Sequence, residues 1–374
     1  MAQLADVYHI LNFNDTYALG HYARVVDAQD RRTGDVTALK VMRTEHLSPG
    51  EAPRWEYRAF ANEAELLSKL AENPHVVRLL DCGYLSSHSE APEDGDIDSF
   101  GTDVIAFTRD LFTYSERGWR PYLALENLPR TENLFYLMRT DRPNTRFRLP
   151  TEEGISLALQ FGETLRLAHR QGIVYMDHKL EHVYWDGVQL RIIDLNSSRQ
   201  LEGSLSENAQ YFRMDIHNLC VGILYPVFTG LSPQKSSLRP QPGSIHEVES
   251  RYRDITQLDF GVEPTLSGGL QALLQRGAEM QIQSADDFID GLHQVAVEFG
   301  WDFPGQYTRP VNREARSHMR AGLAAARRGE DHLREARDHL REAAIQEGIT
   351  ADLEAELRRL VKALNDMLNT RVIP

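Results

Sequence analysis

The chain has 374 residues, enough for two or three domains, with 41% apolar and 26% charged residues; these globular values exclude disordered, collagen-like and disulfide-scaffold classes. The formal charge of −14, from 41 basic and 55 acidic residues, argues against a nucleic-acid binder held by counterion release. Two cysteines far apart, Cys82 and Cys220, form no disulfide framework or zinc cluster, MAQLADVYHILNFNDT lacks a secretory pattern, and the longest apolar run, CVGILYPVF, is too short to span a bilayer. The expectation is a soluble, acidic, cytoplasmic protein without a transmembrane segment.

The early chain reads as strands followed by a helix. Two β-rich runs in VVDAQDRRTGDVTALKVM flank a turn at Arg32-Thr33-Gly34-Asp35, which predicts a hairpin. Alternation over Val36–Met42 puts Ala38, Lys40 and Met42 on one face. EYRAFANEAELLSKL follows, with Phe60, Leu67 and Leu70 at helical spacing, and VVRLLDCGYL reads as a further strand pair. Residues 86–104 carry six acids and no Lys or Arg, the pattern of a solvated loop or of a docking site for a basic partner. YLALENLP then resumes as a buried strand.

The second half is dominated by helix signals. One helix is predicted near 152–169, with Ile155, Leu159, Leu165 and His169 on or near one face and Gly172 after its end. MDIHNLCVGILYPVFTG predicts another, with Ile216, Leu219, Ile223 and Val227 on one stripe and Pro226 inside it as a kink or early stop. LSGGLQALLQRGAEM and SADDFIDGLHQVAVEF add two more. After about Gly300, WDFPGQYTRP reads as a linker. The remainder is rich in Ala, Arg, Glu and Leu, has no strand signal, and predicts two or three packed helices, the last capped by Thr350 and carrying Leu353, Leu357, Leu360, Leu364 and Met367.

The stretch between these helices carries the chemistry. In GIVYMDHKLEHVYWDGVQLRIIDLNSSR, the runs HVYW and VQLRII are joined by Asp186-Gly187, a two-residue hairpin signal. A hairpin returns the chain to where it started, so Asp177, Lys179 and His182 before it and Asp194 after it converge at one end. Two carboxylates, a lysine and a histidine together fit a site for a metal-bound anionic substrate. The alternative is a salt-bridged surface hairpin.

In this stretch and around it, the sequence resembles the protein-kinase superfamily. Tyr175-Met176-Asp177-His178-Lys179-Leu180-Glu181-His182 stands where that family has its H-R-D-x-K-x-x-N loop, Asp194-Leu195-Asn196 stands for D-F-G, and Thr37-Ala38-Leu39-Lys40 for V-A-I-K. Glu63 falls at the αC glutamate, Leu125-Glu126-Asn127-Leu128 at the hinge, and DIHNLCVGILYPVFTG, from Asp215, at the buried αF helix. QSADDFIDGL is similar to the late helix of bacterial Ser/Thr kinases. Order and spacing agree over roughly residues 10–298.

The resemblance implies an α+β, bilobal kinase-like fold with a C-terminal helical extension. The expected division is an N-lobe over 1–128, a helical C-lobe over 129–300 and the extension over 301–374. It implies ATP with Mg²⁺ or Mn²⁺ as cofactors. Lys40 neutralises the α/β-phosphates and Glu63 holds it by an ion pair. Gly20 lies in the phosphate loop, and Ala38, Glu126 and Leu128 border the adenine. Asp194 holds the metal, Asp177 orients the acceptor hydroxyl and takes its proton, and Lys179 stabilises charge on the phosphoryl group. Asp215 caps backbone N–H groups of the catalytic loop.

The departures from the family pattern are equally specific. Ala18-Leu19-Gly20-His21-Tyr22-Ala23 keeps only the middle glycine of the phosphate loop, which limits backbone approach to phosphate. Tyr175 and Met176 replace the His and Arg before the catalytic Asp, so phosphorylation of an activation loop is not expected to be needed. No A-P-E motif separates Asp194 from Asp215. His182 replaces the metal-binding Asn, and imidazole suits Mn²⁺ better than Mg²⁺; Asp177…His182 with Ile193-Asp194-Leu195 is similar to the loops of lipopolysaccharide-core sugar kinases. The leading expectation is a phosphotransferase acting on a Ser/Thr hydroxyl of a protein. The alternatives are a pseudokinase scaffold or a kinase of a sugar or other small molecule. The C-terminal helices are candidates for partner docking or oligomerisation.

Overall fold

The computed structural model describes residues 2–12, 22–47, 53–89, 94–138, 147–233, 251–301, 331–341 and 351–370, with a few single positions besides. The first part is built on a seven-stranded antiparallel sheet in the order β1-β6-β5-β7-β4-β3-β2. These strands are β1 (Ala2–Gln3), β2 (Tyr8–Asn12), β3 (Ala23–Asp30), β4 (Val36–Met42), β5 (Leu79–Leu85), β6 (Asp96–Ser99) and β7 (Arg120–Glu126). The β3–β4 hairpin closes at the expected turn, with Gly34 at φ +83°, a value that favours glycine.

Alternation along β4 sorts its side chains as expected. Met42 joins Leu123 and Leu125 of β7 in the core under helix α2 (Trp55–Lys69), with Ala38 packed against that core. Leu39 and Val41 point the other way, onto Tyr122, Ala124 and the short helix α1 (Leu4–Val7).

Two expectations are corrected. VVRLLDCGYL is one strand, not two. Its first half follows Pro74 and pairs with the second part of the molecule, where Val77 N donates to Ile192 O at 3.0 Å and Ile192 N to His75 O at 2.8 Å. The acidic stretch is not a solvated loop throughout. Asp96–Ser99 forms β6 between β1 and β5, with Ile97 buried. Tyr114 donates a hydrogen bond to Asp98, and Asp103 caps α3 (Val104–Glu116), accepting from Ala106 N at 3.0 Å. Acids of this stretch therefore serve a paired strand and a helix cap. Helix α3 itself went unforeseen; it inserts Phe107, Leu111 and Tyr114 beside α2, with Tyr114 stacked on Tyr84 at 4.2 Å.

The second part is mainly helical: α4 (Leu134–Met138), α5 (Thr151–Arg170), α6 (Ala209–Asn218), α7 (Tyr225–Thr229), α8 (Gly268–Ala278) and α9 (Ala285–Glu298). Four short strands sit among them: β8 (Ile173–Val174), β9 (Val183–Trp185), β10 (Leu190–Ile192) and β11 (Arg199–Gln200). The β9–β10 hairpin forms, but Trp185 pairs with Leu190, so the tight positions are Gly187-Val188, one residue later than expected. Asp186 Oδ1 accepts from the N–H groups of Val188 and Gln189, each at 2.7 Å. Between α6 and α7, Leu219–Leu224 winds as a π-helix. The wide turn absorbs Pro226, whose ring would clash with the carbonyl four residues back in a regular α-helix.

Beyond Gly300, Trp301 stacks on Phe299 at 4.3 Å, and the described residues after it are helical at 331–341 and Ala351–Thr370, with no strand among them. Most of the expected linker lies outside the described residues. The whole is a bilobal α+β fold with a C-terminal helical extension, and no helix of the described residues is long and apolar enough to cross a membrane.

Candidate functional site

Lys40, from β4, and Glu63, from α2, meet between the sheet and its helix. Lys40 Nζ lies 2.7 Å from Glu63 Oε2 and 2.9 Å from Asp194 Oδ1, so the ion-pair distance expected from strand alternation is present. All three are strongly perturbed. Burial opposes charge on Lys40, but the Asp194 and Glu63 carboxylates outweigh it and hold the ammonium well above its usual range. Burial would raise Asp194, yet the charges of Lys40 and His182 push it below the usual carboxylate range. Glu63, wholly enclosed, is pushed up by burial despite Lys40, with Asp194 adding to the rise. One ammonium thus serves two carboxylates, and the more exposed one, Asp194, keeps its charge most firmly.

Asp194 sits at φ +63°, a left-handed conformation costing a non-glycine residue about 1–2 kcal/mol. Its neighbours hold it there. Ser198 Oγ donates to Tyr175 O at 2.9 Å, Asn62 Nδ2 on α2 donates to Ser198 O at 2.8 Å, and β11 pairs with β8.

The loop carrying Asp177 is fastened from below by Asp215. Its two oxygens accept from Tyr175 N and Met176 N, each at 2.7 Å, and His169 Nε2 lies 3.1 Å away. Burial would raise Asp215, but the hydrogen bond from His169 and the neighbouring histidines keep it low. Met176, at φ +68°, is the turn these bonds enforce.

Asp177 emerges with Lys179 Nζ 2.9 Å from its Oδ2 and Arg251 Nη1 2.9 Å from its Oδ1. Burial works against its charge, but His182, Lys179 and Arg251 hold the carboxyl below its usual range. The hairpin thus gathers Asp177, Lys179, His182 and Asp194 at one end, as its geometry requires.

His182 bridges the two aspartates. Its Nδ1 lies 3.2 Å from the carbonyl oxygen of Asp177, which can only accept, so Nδ1 carries the hydrogen. Its Nε2 then faces Asp194 Oδ2 at 3.3 Å. Two lone pairs so placed require a proton or a cation between them, and one nitrogen with one carboxylate oxygen is a donor set that fits Mn²⁺ better than Mg²⁺. Among the described residues no group of three or more His, Cys, Asp or Glu could hold a metal ion, so an ion between these two would need its other ligands from outside the protein side chains.

Of the residues expected to receive the nucleotide, Ala38 lies half-buried, opposite Leu125 of β7. Oε2 of Glu126 is engaged by Arg78 at 3.4 Å and Arg191 at 3.7 Å, and its backbone N–H donates to Arg78 O at 3.0 Å. Leu128 packs against the core. Gly20 lies outside the described residues.

Two residues of the site were not read from the sequence. Tyr22 lies with its ring 5.5 Å from Lys40 Nζ; its place in the stretch aligned with the family's phosphate loop was the only signal. Arg251 stands in no motif, and nothing in the sequence indicated it. The protein kinase domain family model matches residues 16–217, more than half of the chain. No curated protein matches it.

Proposed function

The chain belongs to the protein kinase family, and from that premise we propose that it transfers the γ-phosphoryl group of ATP to a hydroxyl, in the first place that of Ser or Thr in a protein. The acceptor oxygen forms a bond to the γ-phosphorus, the bond to the departing ADP oxygen breaks, and the hydroxyl proton passes to Asp177. Lys40, steadied by Glu63, neutralises the α/β-phosphates. Lys179 offsets charge on the moving phosphoryl group. Asp194 and His182 would hold a divalent ion, Mn²⁺ in preference to Mg²⁺, which would neutralise phosphate charge. Gly20 and Ala38, with the backbone of Glu126 and the Leu128 side chain, receive the rest of the nucleotide. In this reading 1–128 and 129–300 form the two lobes around the site, and 301–374 is an accessory extension.

The observation that carries the proposal is the bridging of Glu63 and Asp194 by Lys40. These three residues come from three distant segments, and a chain without phosphate chemistry gains little from burying them together. A second reading, a nucleotide-regulated scaffold, draws support from the contact of Arg251 with Asp177. A γ-phosphate transfer assay on protein and sugar panels, with Asp177→Asn as control, tests the choice. Transfer to a protein that the variant abolishes supports the proposal. ATP binding, seen as a thermal shift, without transfer to any acceptor selects the scaffold.

A further inference from the structure

Asp177 is closed off on the side where an acceptor must arrive. Its side chain is 5% exposed, and each oxygen faces a cation at 2.9 Å, Lys179 on one side and Arg251 on the other. A hydroxyl reaches the carboxylate only if one of them withdraws. Lys179 belongs to the same loop and has a task at the phosphoryl group. Arg251 comes from a separate segment and is 12% exposed.

The backbone behind Arg251 is pinned. Tyr252 donates from its hydroxyl to His178 O at 3.0 Å, and its own carbonyl faces His217 Nε2 at 2.9 Å. Its ring rests on Gly222, where a Cβ would come within 2.5 Å of Tyr252 Cε2. With this pivot fixed, the guanidinium moves by rotation about its own side-chain bonds.

A guanidinium does not lose its charge. Taking it off a largely buried carboxylate leaves an uncompensated buried charge unless another anion receives the guanidinium. An acidic side chain on the acceptor does so, as a charge-assisted partner of the guanidinium, and frees one oxygen of Asp177 to take the hydroxyl proton. A neutral or basic acceptor offers no such exchange. The net charge of −14 does not draw an acidic acceptor from a distance, so the selection acts at contact.

We infer that Arg251 is a specificity-determining residue of the acceptor site, releasing Asp177 to a Ser or Thr that has Asp or Glu close beside it in sequence. The inference rests on the phosphotransferase reading above. Its test uses the full chain with ATP and Mn²⁺ and three peptides alike except for Glu, Ala or Arg flanking a single Ser. The wild type is expected to favour the Glu-flanked peptide by about tenfold or more in kcat/KM. Arg251→Gln is expected to bring the three peptides within about threefold of each other and to raise ATP hydrolysis, since water is a neutral acceptor. Arg251→Lys, which keeps the charge and loses the fork, should fall between. A Ser→Ala version of the Glu-flanked peptide, titrated calorimetrically without nucleotide, should bind the wild type and lose affinity with Arg251→Gln. Melting curves establish that each variant is folded. Transfer to all three wild-type peptides alike, or an unchanged preference in a folded Arg251→Gln, overturns the inference and leaves the kinase reading standing. No transfer to any peptide or to water, with ATP bound, overturns both.

Discussion

His178, next to Asp177, is the group whose burial has the most direct consequence for pH. Its side chain is wholly enclosed, stacked on Phe161 at 5.5 Å and edge-on to Tyr175 at 4.8 Å, and neither ring nitrogen reaches a partner at hydrogen-bond geometry. Burial lowers its pKa to about 4, and the Asp215 carboxylate 3.9 Å away offsets this only in part. The unfolded chain takes up this proton near pH 6.5. Between about pH 6.5 and 4 the unfolded state therefore binds more protons, so stability falls as pH falls through that window and levels off below it. At pH 5 the loss from this one group is roughly 2 kcal/mol. His178→Leu removes it. The variant lacks the imidazole but keeps an apolar filling, so its own packing cost is the same at every pH. Urea unfolding at pH 7, 6 and 5 measures the difference directly: the stability gap between the proteins should shift by about 2 kcal/mol in the variant's favour from pH 7 to 5. Equal losses in both proteins would refute a neutral, buried imidazole.

Three further outcomes follow from the same geometry. Lys40→Met should abolish the ATP-dependent thermal shift and phosphate transfer while the protein stays folded, because Glu63, already pushed up by burial, takes a proton instead of remaining a buried lone charge; unchanged transfer would remove Lys40 from the phosphate role. His182→Asn should move the metal preference from Mn²⁺ towards Mg²⁺ with activity retained, whereas lower activity at an unchanged preference would leave His182 as a support for Asp177 through its 3.2 Å contact with the carbonyl. Gly222→Ala places a methyl within 2.5 Å of Tyr252 Cε2 and 2.9 Å of His178 O; denaturant melts should show a loss of about 1–3 kcal/mol, and an unaffected protein would mean that Tyr252 is not seated on that glycine.

The residues that act at short range in sequence were legible, and those placed by tertiary packing were not. Strand alternation put Lys40 on the α2 face, and the β9–β10 hairpin brought Asp177, Lys179, His182 and Asp194 to one end. Both are consequences of local geometry. The β6 strand was obscured by composition. Asp96-Ile97-Asp98 alternates as a strand should, with Ile97 inward, but three residues inside an acidic run carry less weight than six acids without a base. Pro226 spoke for a kink, and the molecule answers with a π-turn before it. Arg251 could not be found by pattern at all. It owes its position to Tyr252, and Tyr252 owes its own to Gly222, His178 and His217, contacts spanning up to 74 residues.

These contacts also bear on where control of the site resides. In this chain Asn62 ties α2 to Ser198, Ser198 ties the segment after Asp194 to Tyr175, and β11 closes on β8. Every one of these bonds uses backbone groups or neutral side chains, so none depends on an added phosphate. Lys40, Glu63 and Asp194 are already assembled. On the proposed reading the nucleotide half of the site is therefore preorganised by the fold, and adding charge to the segment after Asp194 has no open ion pair of this trio left to complete. The acceptor half differs, because Asp177 is held by Arg251 from a separate segment. Any dependence of activity on the state of the protein should then register as a change in the use of acceptors, with nucleotide affinity nearly constant. Measuring KM for ATP and for a peptide acceptor in wild type and Arg251→Gln separates the two halves. A variant that alters the ATP value as strongly as the acceptor value would show that the halves are coupled and that this division is wrong.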